Sequence, residues 1–453
     1  MPAERPLPPN RLETQARVCA QAVVDTLNES LLGGKPADRC LKDTFYANRQ
    51  FGSRDRRLIS ETLFALLRWW GWLQHLAPPA FVQAWQNQAP GWNLPGKEWY
   101  KCLYAAWLLD NPGEMPPAAA LWGTADADRS AERSRTAQPS LAERSRVLKP
   151  LLPHGLSLSP SQLVPEWTFQ YLAPEENISA EQLLPWLQKR PPVWLRAQTS
   201  DVEWLQQELA DDDIPTSRHE RLQYALKIER SSNRNFRNQV NFKAGDFEVQ
   251  DLASQAVAHI CAPRPGEQWW DACAGGGGKT LHLAWLMQGK GSVLATDIRL
   301  HKLQELKLRA RRAQFPNIRC KEWKGKAMPT FRGRFAGVLV DTPCTCSGTW
   351  RRNPDLRWTA RAGEVADFVK LQLQLLSHAA EAVAPGGTLV YSTCSMFRQE
   401  NQGVVEEFLR QNSAFALAPF TCPVSGRECP GYKQLWPWDG DCDAMFTAKF
   451  QRR

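Results

Sequence analysis

The stretch DACAGGGGKT (residues 271–280) ends a short apolar run and leads into a segment with helical spacing. Four consecutive glycines let a backbone approach a ligand closely and present amide groups at a helix N-terminus. Around this stretch, strand-like runs (QWWDACA, GSVLATD, FAGVLVD, GGTLVYSTCS) alternate with helical ones (TLHLAWLMQ, LHKLQELKLRARRAQ, FVKLQLQLLSHAAEAVA). This alternation predicts an α/β fold, with a parallel sheet covered on both faces and ligands at the carboxyl ends of its strands.

Two kinds of nucleotide site fit the glycine-rich turn. A phosphate-binding P-loop has the pattern G-x-x-x-x-G-K-[ST]; Gly278-Lys279-Thr280 matches its end, but Cys273 replaces its first glycine. A Rossmann-like site for S-adenosylmethionine needs an acidic residue at the end of the next strand to hold the ribose hydroxyls, and Asp297 supplies one. The turn together with Asp297 favours the second site, and a purely structural tight turn is the remaining alternative.

Cysteines follow two neighbouring strands of the predicted sheet. Cys344 and Cys346 come just after FAGVLVD, and Cys394 lies at the end of GGTLVYSTCS. A thiol at a strand-to-loop junction beside a cofactor pocket suits nucleophilic catalysis, whereas a buried thiol away from a cleft is usually inert. We therefore interpret Cys394 as a nucleophile and Cys346 as a packing residue. No C-x-x-C pair or clustered histidine accompanies them, so the spacing predicts no metal site.

The composition narrows the class of protein. The chain of 453 residues carries 56 lysines and arginines against 47 aspartates and glutamates, and this surplus of +9 leans toward a polyanionic partner. No run approaches the roughly 18 apolar residues of a membrane helix, which predicts that no membrane is spanned. The N-terminus has no apolar signal segment, so the twelve cysteines are expected to be reduced thiols of a cytoplasmic protein.

The chain divides into segments of different composition. SRDRRLISETLFALLR has helical spacing with Ser53 as an expected N-cap, and the tryptophan cluster after it is expected in a core. Alanine, serine and alternating charge then replace aromatics, which indicates a linker or exposed insertion. The predicted segments are a helical domain (1–122), this polar linker (123–147), a helical connector (148–189), a small α+β subdomain (190–244) and a Rossmann-like domain (245–453).

Basic residues interleave with aromatic ones at the end of the small subdomain. In RSSNRNFRNQVNFK, Arg234, Arg237 and Lys243 alternate with two phenylalanines. Arginine and lysine contact phosphates and aromatic rings stack on bases, as in proteins that hold single-stranded RNA. A solvated loop with two core phenylalanines explains the pattern equally well, and both interpretations stay open.

Four motifs in order carry a resemblance to the RsmB/Nop family of RNA (cytosine-5) methyltransferases. They are GDFEVQDLASQ (245–255), the CAGGGGKT turn, DTPC with RRNPDLRW (341–358), and LVYSTCS followed by Glu400-Asn401. The helical N-terminal region is similar, more loosely, to the NusB-like RNA-binding domain of the bacterial ribosomal RNA members. The resemblance implies a Rossmann-like methyltransferase domain that acts on ribosomal RNA, most simply that of the small subunit. The oligomeric state stays open, with a monomer favoured.

The resemblance also implies roles for individual residues. Cys394 attacks carbon 6 of a cytosine, Cys344 helps to release the methylated base, and Asp341 hydrogen-bonds the cytosine edge near the cofactor. Arg351 and Arg352 of RRNPDLRW are expected to contact RNA. The residues expected to line S-adenosylmethionine are Cys273, Ala274, Gly275, Gly276, Gly277, Gly278, Lys279, Asp297 and Asp341.

The chain departs from the family pattern in two places. Gly276 stands where many members have proline. Members usually carry an aspartate for the adenine after the next strand, where this chain has Trp323 and Lys324, with Glu322 as the expected substitute. These departures and the basic charge motivate an alternative function, a non-catalytic RNA-binding factor of ribosome assembly.

Overall fold

The structure is a computed structural model that describes residues 8–89, 95–110, 115–123, 139–172, 178–229, 236–327 and 329–453. The chain forms two units. The described residues of Met1–Gln170, Pro174–Lys189 and Trp350–Ala360 make up the first, and those of Tyr171–Ala173, Arg190–Thr349 and Arg361–Arg453 make up the second. No helix among the described residues has both the length and the apolarity needed to cross a bilayer.

The regular elements among the described residues of the first unit are all helices, which confirms the helical prediction for the N-terminal region. The α-helices up to residue 190, and the one that Trp350–Ala360 contributes, are Pro9–Leu31, Ala37–Ala47, Ser53–Arg68, Trp70–Leu73, Pro79–Gln86, Tyr100–Asp110, Pro117–Ala120, Leu141–Leu148, Thr168–Tyr171, Ala180–Leu187 and Pro354–Thr359.

The tryptophan cluster lies in the core of this unit, as predicted. Trp69, Trp70 and Trp72 are fully buried, and Trp70 stacks on Trp99 with ring centroids 6.3 Å apart. Gly71 is required between them because a Cβ there would lie 1.8 Å from the carbonyl oxygen of Gln162.

The start of the helix Ser53–Arg68 differs from the sequence-based expectation. Its N-cap is Gly52, and Ser53 is the first helical residue. Asp55 accepts a hydrogen bond from the Gly52 amide at 3.0 Å. The carboxylate therefore pairs with the N-cap amide at the positive end of the helix, which is the N3 half of a capping box.

Part of the predicted linker is helical. Leu141–Leu148 begins after Ser140, whose side chain accepts from the Glu143 amide while Glu143 accepts from the Ser140 amide. This capping box is a strong local start signal that the charged composition of the segment concealed. Residues 124–138 lie outside the described part of the chain.

Residues 350–360 belong to the first unit, although the sequence places them inside the predicted Rossmann-like domain. Arg357 is fully buried and donates to the carbonyl oxygens of Arg68 at 3.1 Å and Leu163 at 3.0 Å. The Trp358 indole donates to the Leu67 carbonyl at 2.6 Å. A buried guanidinium must be hydrogen-bonded, and these carbonyls satisfy it within the helical unit.

The second unit contains a small antiparallel sheet and a large mixed one. The small sheet has the order β2-β3-β1-β4, with β1 at Trp194–Ala197, β2 at Thr216–Arg218, β3 at Ala225–Ile228 and β4 at Phe247–Val249. The helices Val202–Asp211 and Val240–Ala244 belong to this region. Its α+β character agrees with the prediction from VWLRAQ, VEWLQQEL and YALKIE.

The large sheet has the order β10-β14-β9-β8-β5-β6-β7, with β13 beside β14. Strands β5 to β9 pair in parallel with their neighbours, whereas β14 runs antiparallel to β9, β10 and β13. The strands are β5 at Gln268–Asp271, β6 at Ser292–Asp297, β7 at Ile318–Glu322, β8 at Phe335–Asp341, β9 at Val383–Thr393, β10 at Phe415–Leu417, β13 at Tyr432–Leu435 and β14 at Met445–Arg452; β11 at Phe420–Thr421 and β12 at Glu428–Cys429 form a separate pair.

Among the described residues, six helices accompany the strands of the large sheet, and three of them (Gly278–Leu286, Leu300–Arg312 and Ala362–Ala380) lie between consecutive parallel strands. The other three are Leu252–Cys261, Gln402–Gln411 and Pro437–Gly440. The strand cores are apolar, as shown by the fully buried Val338, Leu339 and Val340 of β8. Because parallel strands end at one edge, this arrangement brings the residues that follow β5, β6, β8 and β9 together.

Candidate functional site

The glycine-rich turn joins β5 to the helix Gly278–Leu286. Gly277 has a φ of +88°, and a Cβ at this position would lie 2.4 Å from the Leu306 side chain. Only glycine fits, because both the left-handed backbone and the close helix exclude a side chain. Behind the turn, the fully buried Asp271 accepts a hydrogen bond from Thr280 at 2.6 Å. Burial, opposed in part by this bond, raises the pKa of Asp271 to about 7.

Arg309, on the helix Leu300–Arg312, holds the glycine-rich turn in place. Its Nη1 donates to the Gly276 carbonyl oxygen at 2.6 Å, and its Nη2 donates to Glu248 of β4 at 2.9 Å. Glu248 is buried and also pairs with Arg312. The turn is thus tied to the small sheet through two charge-assisted bonds, which fix its backbone in place.

Asp297 ends β6 beside the turn. Its Oδ2 accepts from the Gly275 amide at 2.9 Å and from Arg299 Nη2 at 3.0 Å, while Oδ1 accepts from the Arg299 amide at 2.8 Å and Nε at 2.9 Å. Burial pushes the pKa of Asp297 upward, but the hydrogen bonds and charge of Arg299 outweigh it and hold this pKa below its ordinary value. The side chain is therefore a carboxylate at neutral pH.

The residues around the turn fit S-adenosylmethionine. A Cβ at Gly275 would find no atom nearer than Arg299 Nη2 at 3.7 Å, so this side of the turn is open to a ligand. The buried Asp271 Oδ1 has no hydrogen-bond partner among the described residues, which leaves an acceptor at the end of β5. The open side of the turn is compatible with the predicted cofactor site, and the Asp297 carboxylate beside it is paired with Arg299.

Three thiols converge where β8 and β9 end. Cys344 Sγ lies 3.3 Å from Cys394 Sγ, and the Sγ atoms of Cys344, Cys346 and Cys394 all lie within 4.8 Å of one another. Cys344 is buried, whereas the other two are partly exposed. All twelve cysteines are free thiols, in agreement with the prediction. Cys346, interpreted from sequence as a packing residue, instead belongs to this cluster.

Hydrogen bonding within the cluster shifts the pKa values of its three thiols in different directions. Bonds from Cys344 and Cys394, opposed by burial and aided by Arg299, hold the pKa of the Cys346 thiol well below its ordinary value. Bonds to Cys346 and Cys394, together with burial, raise the pKa of Cys344. A bond from Cys344 lowers the pKa of Cys394, but a bond with Cys346 and burial outweigh it, so the pKa of Cys394 lies above its ordinary value overall. The first proton is thus lost from the cluster as a unit, and the remaining thiols stabilise the thiolate.

Asp341 and Lys279 form an ion pair beside the thiols. Lys279 Nζ lies 2.7 Å from Asp341 Oδ2, and the lysine side chain is only 10% exposed. Burial lowers the pKa of Lys279, yet the charge and hydrogen bond of Asp341 raise it above its ordinary value overall. Lys279, expected along the cofactor, therefore orients Asp341 and leaves one carboxylate oxygen for a substrate.

Glu400 ties the two cysteine loops together. It is fully buried and accepts from Thr345 at 3.0 Å (amide) and 2.6 Å (hydroxyl), from Ser395 at 2.5 Å and from Gln372 at 2.8 Å. Burial raises its pKa against these bonds. Thr345 follows Cys344 and Ser395 follows Cys394, so this carboxyl group sets the spacing of the two thiols.

Asn401 and Gly348 add two more ties. Asn401 donates to the Ser395 carbonyl at 2.9 Å and accepts from Thr393 at 2.5 Å. The Gly348 amide donates to the Cys394 carbonyl at 2.9 Å. The loops that carry the thiols are held from several sides, as preorganised catalytic groups require.

The structure places the residues expected near the adenine in two different environments. Trp323 is buried, with its ring 5.0 Å from that of Trp270, and its indole donates to the Lys326 carbonyl at 2.7 Å. Glu322 ends β7, where it is exposed and lies 3.5 Å from Lys324. Trp323 therefore serves the core, and Glu322 is the acidic group that remains accessible there.

The predicted RNA contacts differ in exposure. Lys243 is exposed, whereas Arg234 lies outside the described residues, as does the side chain of Arg237. Arg352 is partly exposed. Arg351 is fully buried, with its guanidinium 5.4 Å from the centroid of the Trp186 ring. Burial corrects the expectation for Arg351, because a side chain without accessible surface cannot reach a phosphate in this structure.

Three residues of the site escaped the sequence-based reasoning. The left-handed backbone of Cys346 (φ +56°) aims its thiol into the cluster, and no local pattern announces it. Arg309 is one of several arginines on its helix and cannot be distinguished by spacing. Glu400 had a signal, since Glu400-Asn401 follows the strand that carries Cys394.

Comparison with known proteins agrees with this geometry. Residues 258–451 match the family model described as 16S rRNA methyltransferase RsmB/F. The probable ribosomal RNA small subunit methyltransferase B of Bacillus subtilis is 33% identical over 259 residues, which span 56% of this chain and 57% of that protein. The ribosomal RNA small subunit methyltransferase B of Yersinia pseudotuberculosis is 29% identical over 75% of this chain and 79% of its own length.

A solved structure supports the fold over nearly the whole chain. The crystal structure of PH0851 superposes with a TM-score of 0.73 at 24% identity and covers 96% of this chain and 99% of its own. The fold is thus that of a Rossmann-like methyltransferase preceded by a helical region. The cofactor is S-adenosylmethionine, and the open side of the turn at Gly275 leaves room for it. Residues 258–451 therefore resemble the RsmB/F methyltransferase family, whose model they match.

Proposed function

We propose that this chain transfers the methyl group of S-adenosylmethionine to carbon 5 of a cytosine in ribosomal RNA, through a covalent cysteine–cytosine adduct. The observation that carries the proposal is the pair of thiols, Cys344 and Cys394, 3.3 Å apart at the carboxyl ends of neighbouring strands. The names of the relatives favour small-subunit ribosomal RNA as the substrate.

Cys394 acts as the nucleophile. Its thiolate adds to carbon 6 of the ring, forming a carbon–sulfur bond and shifting an electron pair toward carbon 5. The bound cofactor supplies an electrophilic methyl group, which carbon 5 takes. This route splits one difficult substitution into easier steps, as covalent catalysis does. The cytosine must leave its stack to present carbon 6, which favours an unpaired base.

Asp341 and Cys344 complete the cycle. The Asp341 oxygen that does not face Lys279 accepts a hydrogen bond from the cytosine amino group and so orients the ring. After methylation the proton on carbon 5 passes to solvent, a double bond forms between carbons 5 and 6, and the electron pair of the carbon–sulfur bond returns to Cys394. Cys344, whose Sγ lies 3.3 Å from Cys394 Sγ, assists this elimination, which restores the aromatic ring and frees the enzyme.

The test is methyl transfer from labelled S-adenosylmethionine to unmodified ribosomal RNA. Wild type is expected to transfer methyl groups and Cys394→Ala to transfer none. Cys344→Ala is expected to accumulate a protein–RNA adduct that survives a denaturing gel. Cys320→Ser, which removes a thiol outside the cluster, is the matched control and should behave as wild type. Full transfer by Cys394→Ala would refute the nucleophile.

The second candidate is a non-catalytic RNA-binding factor of ribosome assembly. The pairing of Asp297 with Arg299 favours it, because the carboxylate that should hold the ribose is occupied. Cofactor binding separates the two functions. An enzyme binds S-adenosylmethionine in isolation, whereas an assembly factor binds ribosomal RNA and leaves the cofactor in solution.

A further inference from the structure

The thiol cluster contains one more cysteine than the proposed methyl transfer needs. Two thiols perform the proposed reaction, yet a third, Cys346, points into the same space, with all three Sγ atoms within 4.8 Å of one another. Among the described residues, no other group of three or more cysteine, histidine or acidic side chains has its ligand atoms gathered in this way.

The backbone of Cys346 indicates that its direction is imposed by the fold. Its φ of +56° lies in the left-handed region, which a non-glycine residue adopts only at an energetic cost. Its carbonyl oxygen accepts from both the amide and the hydroxyl of Thr349 at 2.9 Å, which holds this conformation. The thiol is thereby kept beside those of Cys344 and Cys394.

The spacing of the sulfur atoms matches a coordination site. A tetrahedral zinc–thiolate site has metal–sulfur distances of about 2.3 Å, so its sulfurs lie about 3.8 Å apart. The Sγ atoms of Cys344 and Cys394 lie 3.3 Å apart and all three lie within 4.8 Å of one another, a range that includes this value. Cys346 and Cys394 are partly exposed, which gives an ion a route to the cluster.

We propose that Cys344, Cys346 and Cys394 form a three-thiolate site for a soft d¹⁰ cation such as Zn²⁺ or Cd²⁺. Thiolates select such ions over hard ones. Each thiol gives its proton to solvent as the metal–sulfur bonds form, and water fills the fourth position. The bound ion ties up Cys394, so metal binding and attack on cytosine exclude each other.

The sequence argued against this site because it lacks C-x-x-C pairs. A C-x-x-C pattern describes ligands that lie close together in the sequence. Here two ligands come from the loop after β8 and the third from the end of β9, and only the register of these parallel strands brings them together.

The test is a Cd²⁺ titration of the full, reduced chain in a phosphine reductant, followed by the ultraviolet charge-transfer band of cadmium–thiolate bonds. Wild type is expected to saturate at one equivalent, and Zn²⁺ is expected to displace the Cd²⁺. Cys346→Gly removes the ligand at a position whose backbone suits glycine, so the variant should fold. Its affinity should fall by at least about 100-fold, the upper range for loss of even an outer-shell partner.

Cys320→Ser is the matched control, because it removes a half-buried thiol outside the cluster. It is expected to titrate as wild type does. Absence of saturable binding by wild type overturns the site, and so does undiminished affinity in a folded Cys346→Gly. The readout does not require methyl transfer, so failure of the proposed enzyme activity and failure of the metal site are distinguishable. The exclusive binding rests on the proposed function and predicts that Zn²⁺ stops methyl transfer and a chelator restores it.

Discussion

Arg299 binds Asp297 through two parallel bonds, from Nε to Oδ1 at 2.9 Å and from Nη2 to Oδ2 at 3.0 Å. With the Gly275 and Arg299 amides, these bonds use the whole acceptor capacity of the carboxylate. Ribose hydroxyls can bind Asp297 only if the guanidinium moves away. The Arg299 side chain is 54% exposed and so has room to do this.

Arg299→Leu is therefore expected to tighten binding of S-adenosylmethionine. A partly exposed ion pair contributes at most about 1 kcal/mol, so the gain in affinity is limited to roughly fivefold. Isothermal titration of the cofactor measures it. Lys302→Leu, which removes a partly exposed cation from the helix that begins after Arg299, is the control and should leave affinity unchanged. Weaker binding in Arg299→Leu would mean that the guanidinium itself contacts the cofactor.

Gly277→Ala is expected to damage the cofactor turn. The left-handed φ costs about 1–2 kcal/mol and the overlap with Leu306 about 1–3 kcal/mol more. Gly266→Ala is a matched control, because its φ of +92° is similar but a Cβ there meets no atom within 4 Å. Urea denaturation should show a larger loss for Gly277→Ala, together with weakened cofactor binding. Equal losses in the two variants would contradict the packing argument.

Glu400→Gln is expected to lower the free energy of unfolding by about 2–3 kcal/mol. The amide end of glutamine is a donor, so it leaves some of the donors from Thr345, Ser395 and Gln372 unpaired in a buried place. Glu406→Gln, at an exposed position nearby, should cost less than about 1 kcal/mol. The alkylation rate of Cys394 should also change in Glu400→Gln alone, which a merely structural loss elsewhere would not produce.

The buried Asp271 predicts a pH dependence of stability. Its pKa is about 7 in the folded chain, against an ordinary value of 3.8, so the folded state binds the extra proton between these pH values. Stability from this group is therefore greatest below about pH 4 and falls as the pH rises to 7, by about 4 kcal/mol in all. Asp271→Asn keeps an acceptor for Thr280 and should remove this slope, measured by denaturation across the range. An unchanged slope would place the pKa of Asp271 near its ordinary value.

The sequence predicted those features that depend on strand ends. Asp297, Asp341 and Cys394 were located correctly because parallel strands finish at one edge, and apolar runs mark where they finish. Cys346 was misjudged because its role depends on a left-handed φ, which residue type does not reveal. Arg351 was misjudged because an arginine in the sequence does not reveal whether its side chain faces solvent or packs on a buried ring.

The sequence also could not predict the polar strand β7 or the assignment of residues 350–360 to the helical unit. β7 is an edge strand with mostly exposed side chains, so it lacks the apolar run by which β5, β6 and β8 were found. Residues 350–360 join the helical unit through hydrogen bonds to carbonyl groups, which any sequence can offer.

The order of strands in the large sheet sets a condition on when the site can form during translation. β9, which carries Cys394 at its end, pairs on one side with β8 and on the other with β14. The residue paired with Thr393 is Phe446, and Gly348 accepts its bond from the Ala444 amide. Until the ribosome has released Met445–Arg452, β9 is an open edge. A nascent chain therefore holds its nucleophile on an unfinished sheet, and the site gains its shape only after these residues have emerged.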